Sequence, residues 1–246
     1  MGKRKESAFN ILREAFTGYF KNLNLSLPFL FLIIVALVLS FIFSFVSIDS
    51  IQNIQVNLTN ILMILFIIVI FFLVLIYAYS FLVSGAIGMA VEVSNKKKPS
   101  LSTLLKTGKK FWARFFGVTI LLLLITLIPF FLLVFIGNTL VQNLPVAAQL
   151  ITLISITFIV VLLFVFVMLS PYFLIMKNIG IFAALKESLN FAKKRYADLL
   201  LITLIFVILE IIVNLIPFVG QIINLLIIAP IQTLTFALFI TNKGKK

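Results

Sequence analysis

The chain has 246 residues, 63% of them hydrophobic, with a mean hydropathy of +1.28 and only 20 Lys and Arg and 7 Asp and Glu. So few charges cannot cover the surface of a soluble domain, and a soluble fold is excluded. The sequence contains no cysteine and no histidine, which removes disulfides, thiol nucleophiles, thiolate and imidazole metal sites and histidine general bases.

The first 24 residues open with Lys3, Arg4 and Lys5. Phe9, Leu12, Phe16, Tyr19 and Leu23 then follow at helical spacing, with Arg13 and Lys21 on the polar side. This pattern predicts an amphipathic helix lying in the membrane plane. A first apolar span covers about 27–47, with Pro28 in its first turn, where no backbone donor is needed. No cleavage site follows it, so the span is expected to be retained rather than removed. A polar connection without Lys or Arg leads to span 2, about 61–83, which is expected to continue as helix towards Val93. Its second half carries Ser84, Gly85 and Gly88, a small-residue spacing that lets helices approach closely.

After the basic turn NKKKPS, a second amphipathic segment puts Leu101, Leu104, Leu105, Phe111, Trp112 and Phe115 on one face. Span 3 follows at about 116–136, with Pro129 near its far end, then another connection free of basic residues. Span 4, about 150–176, is expected to be kinked or opened at Pro171, whose ring removes an internal hydrogen bond. The third amphipathic segment aligns Phe182, Leu185, Leu189, Ala192, Tyr196 and Leu199, with Lys186, Lys193, Lys194 and Arg195 on or beside the opposite face. It runs without a break into span 5, about 199–216. A tight turn then leads to span 6, about 222–241, interrupted by Pro230.

The charges sort by side. Five Lys or Arg precede span 1, seven join spans 2 and 3, five join spans 4 and 5, and three follow span 6; these are all twenty. The other connections hold none. The positive-inside rule then places both termini in the cytoplasm of a multi-pass cell-membrane protein. Placed this way, the net charge of +13 points to a membrane surface rather than nucleic acid.

The expected fold is an all-α membrane domain of six spans in three helix hairpins, each odd-numbered span preceded by a cytoplasmic-side amphipathic helix. Repeat units of about 1–95, 96–178 and 179–246 are suggested by three correspondences. LIPF recurs at 127–130 and 215–218, a basic segment precedes each odd span, and Ser84-Gly85 and Ser170-Pro171 break spans 2 and 4 late.

Pro171-x-x-x-Ile175, then Gly180, then Ala184-Leu185-Lys186-Glu187-Ser188 and the basic run together resemble a bacterial and archaeal family. It is the membrane domain fused to some glycerophosphodiester phosphodiesterases, with its stand-alone, mostly uncharacterised relatives. The resemblance covers most of the chain as a six-helix pattern and implies that fold. One departure is Lys177, where the family often carries an acidic residue. The sequence holds no soluble phosphodiesterase domain, so that activity is not expected to carry over.

Glu210 is the one acidic residue well inside a predicted span, with Asn214 one turn later on the same face. A carboxylate at that depth costs roughly 2.5–3.5 kcal/mol, so it should be protonated, hydrogen-bonded or beside a wet cavity. Two readings stand: a polar site on a transport path, or a structural hydrogen bond to a neighbouring helix. Pro171 and Pro230 divide the same way, as unwound cavity-lining segments or as kinks satisfied by hydroxyls. Glu92, Glu14, Glu187 and Asp198 lie on the basic side, but nothing fixes a catalytic spacing. No catalytic constellation, metal site or cofactor is expected, and Asn57-Leu58-Thr59 is taken as a chance glycosylation triplet. The best-motivated role belongs to the basic segments. Lys106, Lys109, Lys110, Arg114, Lys186, Lys193, Lys194 and Arg195 are expected to contact anionic lipid, at about 1 kcal/mol for each basic group near the surface. A cytoplasmic or membrane protein partner would use the same surface. The leading expectation is a non-enzymatic, lipid-interacting protein in membrane organisation or an accessory role; the alternative is a transporter or channel for a small or amphiphilic solute through Glu210.

Overall fold

A computed structural model describes residues 7–51, 58–141 and 145–244. Lys3, Arg4, Lys5, Asn57 and the last two lysines lie outside the described residues. The described residues form helices and short turns, with no strand among them. They comprise α1 (Ala8–Lys21), α2 (Leu27–Ile51), α3 (Leu58–Ser94), α4 (Leu101–Val141), α5 (Val146–Val167), α6 (Ser170–Lys177), α7 (Ile181–Asn214), α8 (Val219–Ile223) and α9 (Ala229–Gly244). Six helical stretches are long and apolar enough to cross a bilayer. The chain is a multi-pass helical membrane protein.

The three basic segments join their spans differently. Ser7 caps α1, its hydroxyl accepting the Asn10 N–H, and a tight 3-10 turn over Leu23–Ser26 separates α1 from α2. The segment before span 3 has no such break: α4 is one helix through Leu101–Val141, with Pro129 inside it. In α7 the join is a kink, where Arg195 leaves helical geometry (φ −136°, ψ 25°). Gly117 at the join in α4 does not interrupt that helix, and α7 holds no Gly or Pro between Ile181 and Asn214.

The last span is the pillar of the bundle. In its most apolar stretch 56% of residues are buried, against 22% or fewer in the other five. Ile231, Leu234, Thr235, Ala237, Leu238 and Phe239 of α9 are buried on all sides, and α1 and α3 pack directly on this helix. Phe236 meets Tyr172 and Phe206 edge-on or tilted, and Phe191 bridges Phe173 and Phe239. The core therefore sits at the end of the bundle where the basic residues gather. Towards the other end, Leu37, Phe41, Phe66, Leu73, Phe131, Ile154 and Phe158 are all exposed, an apolar surface suited to lipid rather than water.

α3 and α4 share an extensive contact, and glycine lets their backbones come close. A Cβ on Gly85 would lie 2.7 Å from the Leu104 carbonyl oxygen, one on Gly88 2.5 Å from Thr107 Oγ1, and one on Gly108 2.8 Å from the Phe81 carbonyl oxygen. The small-residue stretch read in span 2 is a true close-approach surface, and α4 contributes its own glycine to it.

Candidate headgroup surface and cleft

On α4, burial of Leu104, Phe111 and Phe115 turns Lys106, Lys109, Lys110 and Arg114 outward, and all four are exposed. Lys110 lies over the Phe111 ring at 5.0 Å, and Arg114 donates to Asn178 Oδ1 at 3.4 Å. Trp112, on the same exposed side, meets Tyr77 of α3 edge-on at 4.9 Å, an aromatic pair of the kind that marks a membrane–water boundary. On α7, buried Ala184, Ser188 and Ala192 leave Lys186, Lys193 and Lys194 exposed.

Arg195 does not join them. The backbone kink swings its side chain inward to 18% exposure, where it pairs with Asp198 at 2.5 Å and leaves Nε buried without a partner. Of the eight basic residues expected to meet lipid, seven are presented outward and Arg195 is held by its neighbour. Lys177 is likewise tied, to Glu187 at 2.8 Å.

The described acidic groups at this end are engaged one by one. Glu92 sits at the start of α4, accepting the Thr103 hydroxyl at 2.6 Å and the Ser100 N–H at 3.3 Å, where a negative charge also suits the helix dipole. Glu14 accepts from Asn242 Nδ2 at 3.2 Å. Glu187 and Asp198 have the ion pairs already described. The carboxylates are distributed over separate structural contacts.

Both proline breaks exist and both are closed. At Pro171 the helix stops at Val167 and restarts at Ser170. The Val167 carbonyl, which a proline cannot serve, accepts the Ser170 hydroxyl, and the Phe166 carbonyl accepts the Ser188 hydroxyl of α7 at 2.9 Å. Tyr196 adds a bond to the Leu162 carbonyl at 3.2 Å. Before Pro230 the chain widens into a π-helical turn, Asn224–Ile228. The carbonyl of Leu226, four residues ahead of the proline, takes the hydroxyls of Tyr19 and Ser26, each at 2.7 Å. Freed backbone acceptors are thus served by side chains from other helices.

Glu210 is half-buried and Asn214 exposed. Among the described residues neither forms a hydrogen bond or ion pair. Because α7 ends at Asn214, Glu210 lies only about 6 Å along the axis from the helix terminus. From the Arg195 kink to Glu210 is about 22 Å of helix, in a hydrocarbon layer of about 30 Å. The carboxylate therefore sits one turn from the end of α7 rather than at the middle of that helix.

One feature at the basic end was not read from the sequence. A cleft of about 500 Å³ runs beside α1. α1 supplies Asn10, Arg13, Glu14, Thr17, Gly18 and Lys21; the end of α3 supplies Val93, the following turn Lys96, and α9 the floor, Leu234 and Leu238. The α1 stripe at three- and four-residue steps was visible in the sequence. Its opposite wall was not, because that wall joins residues more than seventy positions away in the chain.

Comparison with family models, curated proteins and solved structures finds no match.

Proposed function

We propose that this is a non-enzymatic membrane protein that holds anionic lipid headgroups against the basic end of its bundle. That end would face the cytoplasm, with both termini on that side of the cell membrane. The observation that carries the reading is the outward presentation of Lys106, Lys109, Lys110, Lys186, Lys193 and Lys194 from helices whose opposite faces are buried, with the Trp112–Tyr77 pair alongside. Each such charge adds about 1 kcal/mol of attraction to an anionic surface. The separate engagement of Glu14, Glu92, Glu187 and Asp198 supports a non-catalytic role, since general acid–base work needs groups converging on one substrate. The resemblance to the membrane domain of glycerophosphodiester phosphodiesterases is in keeping with a lipid-facing role, and remains part of the proposal.

The transport reading has less to rest on. Its intended path, Glu210 with Asn214 and the two proline breaks, consists of a carboxylate without a partner among the described residues and backbone acceptors that hydroxyl groups already fill.

The test is lipid retention on purified protein by native mass spectrometry, comparing phosphatidylglycerol with phosphatidylcholine. Replacing Lys106, Lys109, Lys110, Lys193 and Lys194 with Gln should reduce bound phosphatidylglycerol and leave phosphatidylcholine unchanged. Equal retention of phosphatidylglycerol by both proteins would reject the reading.

A further inference from the structure

We propose that the third hairpin, from α7 to α9, does not cross the bilayer. Its turn at 215–220 dips into the leaflet on the basic side, meets acyl chains there and returns to the side it left.

Two anchors set the depth of the turn. The first is the pair of hydroxyl bonds from Tyr19 and Ser26 to the Leu226 carbonyl, each at 2.7 Å. Ser26 directly precedes α2, whose uncharged run over 27–48 is about 32 Å long, enough for a full hydrocarbon layer. Leu226 is therefore level with the point where α2 enters that layer. From Leu226 to Phe218, at the tip of the turn, is only about 12 Å along the helix. Even tilted by about 40°, the upper end of the usual range, the α2 run would rise about 25 Å. The second anchor is the Ser94–Thr241 hydroxyl contact at 3.2 Å. α3 and α9 both end close to this contact, and they pack against one another. From there α3 extends about 54 Å to Leu58, whereas the chain through α9 extends about 35 Å to Phe218. By either route the turn stops about 20 Å short of the far side.

The turn suits hydrocarbon. The connections after spans 1 and 3 carry Asp49, Gln52 and Asn53, and Asn138, Gln142 and Asn143; residues 215–220 read Leu-Ile-Pro-Phe-Val-Gly, without a polar side chain. Leu215 is 76% exposed and Phe218 85%, an apolar surface that fits lipid better than water. The backbone is largely served from within. Leu215, Ile216, Val219 and Gly220 donate to the carbonyls of Ile212, Val213, Pro217 and Ile216, and Pro217 has no N–H to satisfy. The Val219 bond closes a γ-turn on Phe218 at φ 60°, ψ −57°, a strained conformation that reverses the chain in the fewest residues. A Cβ on Gly220 would collide with the Val213 carbonyl, so the two arms touch directly. Asn224 and Gln221, about 3 and 8 Å along the helix from Leu226, and Asn214 beside Gly220 stay in the zone where headgroups give way to acyl chains.

The same register accounts for α9. Set beside α1 and the end of α3, it lies largely on the water side of the point where α2 enters the hydrocarbon. Lipid does not cover it there, and the last span is accordingly the most buried in protein of the six. A hairpin that returns also keeps both ends of the chain on one side.

The chain has no cysteine and one tryptophan, so single reporters can be placed cleanly. Leu215 has ordinary backbone geometry, φ −66°, ψ −17°, and replacing it leaves the strained Phe218 in place. Leu215→Cys in the full chain would be compared in native membranes with Val146→Cys, 70% exposed at the far end of α5, and Lys98→Cys, exposed in the basic turn. A membrane-impermeant maleimide is applied to each face in turn. The reacting thiolate does not form in hydrocarbon, so from the face that labels Val146→Cys, Leu215→Cys should react at least about tenfold more slowly. Val219→Cys, on the returning arm, repeats the reading at a second position. Depth is measured separately with Leu215→Trp in a Trp112→Phe background, in vesicles of phosphatidylcholine brominated either near the headgroup or far along the acyl chain. The deep bromines should quench more strongly. Labelling of either cysteine from the Val146 face at the rate of Val146→Cys, or stronger quenching by the shallow bromines, overturns the proposal and makes the hairpin a full crossing.

Discussion

The Tyr19 hydroxyl donates to the Leu226 carbonyl at 2.7 Å, joining the first helix of the chain to the π-helical turn of the last span. Ser26 donates to the same oxygen at 2.7 Å and lies 3.0 Å from the Tyr19 hydroxyl. Pro230, which has no N–H to offer four residues on, leaves that acceptor free. The break in span 6 is therefore what fastens α1 to the bundle, and a residue that looks like a defect in α9 explains why α1 is docked on one face.

This arrangement predicts a coupled loss. Tyr19→Phe or Ser26→Ala alone leaves one donor, and each should cost about 1 kcal/mol. Together they orphan a half-buried carbonyl, and the double variant should lose about 1 kcal/mol beyond the singles. Pro230→Ala supplies a backbone donor and should shrink the cost of Tyr19→Phe. Thermal unfolding in nanodiscs measures each corner; simple additivity in both backgrounds would show that Leu226 is satisfied some other way.

The α3–α4 contact predicts that two glycines, three residues apart, respond differently to repair. Gly88→Ala would meet the side chain of Thr107 and Gly85→Ala the backbone of Leu104. Each should cost about 1–3 kcal/mol through overpacking. Thr107→Ala should recover most of the loss in Gly88→Ala and none of it in Gly85→Ala, since a backbone oxygen cannot be trimmed. Recovery in both, judged by unfolding temperature, would mean that the helices simply move apart.

Which parts were legible in the sequence follows from the range of the interactions. The six apolar runs and the basic faces of α4 and α7 are local patterns, and they appear where the spacing puts them. Gly85 and Gly88 announced a close approach but not its partner, since only the fold brings Thr107 and Leu104 there. Periodicity groups Arg195 with Lys193 and Lys194, and it fails where the backbone leaves the helix. The spacing in residues 8–21 predicts α1 as an in-plane amphipathic helix, but it does not say that Ile11 and Ala15 are wholly buried against protein. Its role as one wall of a cleft depends on α3 and α9, which no local pattern in residues 8–21 names.

The α7 kink separates two effects of charge removal. Lys193→Gln with Lys194→Gln should lower phosphatidylglycerol retention and leave stability nearly unchanged, because exposed charges contribute little to folding. Arg195→Gln should do the reverse: it strands Asp198, 36% exposed, and loosens the kink while scarcely altering lipid retention. An Arg195→Gln variant as stable as the parent but depleted of lipid would return Arg195 to the headgroup surface.

Glu210 provides the sharpest test of the middle of the protein. A carboxylate in a transport path or in a structural hydrogen bond is worth something to the protein, and replacing it should be costly in flux or in stability. A carboxylate with no partner among the described residues, one turn from the end of α7, is a burden instead: keeping it in hydrocarbon costs up to roughly 2.5–3.5 kcal/mol. Glu210→Gln should therefore leave the unfolding temperature unchanged, and Glu210→Leu should raise it, because leucine adds apolar surface where Val207 and Ile211 already face outward. The comparison belongs in nanodiscs, where the hydrocarbon is present. A loss of about 1 kcal/mol or more in Glu210→Gln would be the cost of a broken polar contact, and would bring back a site at the far end of α7.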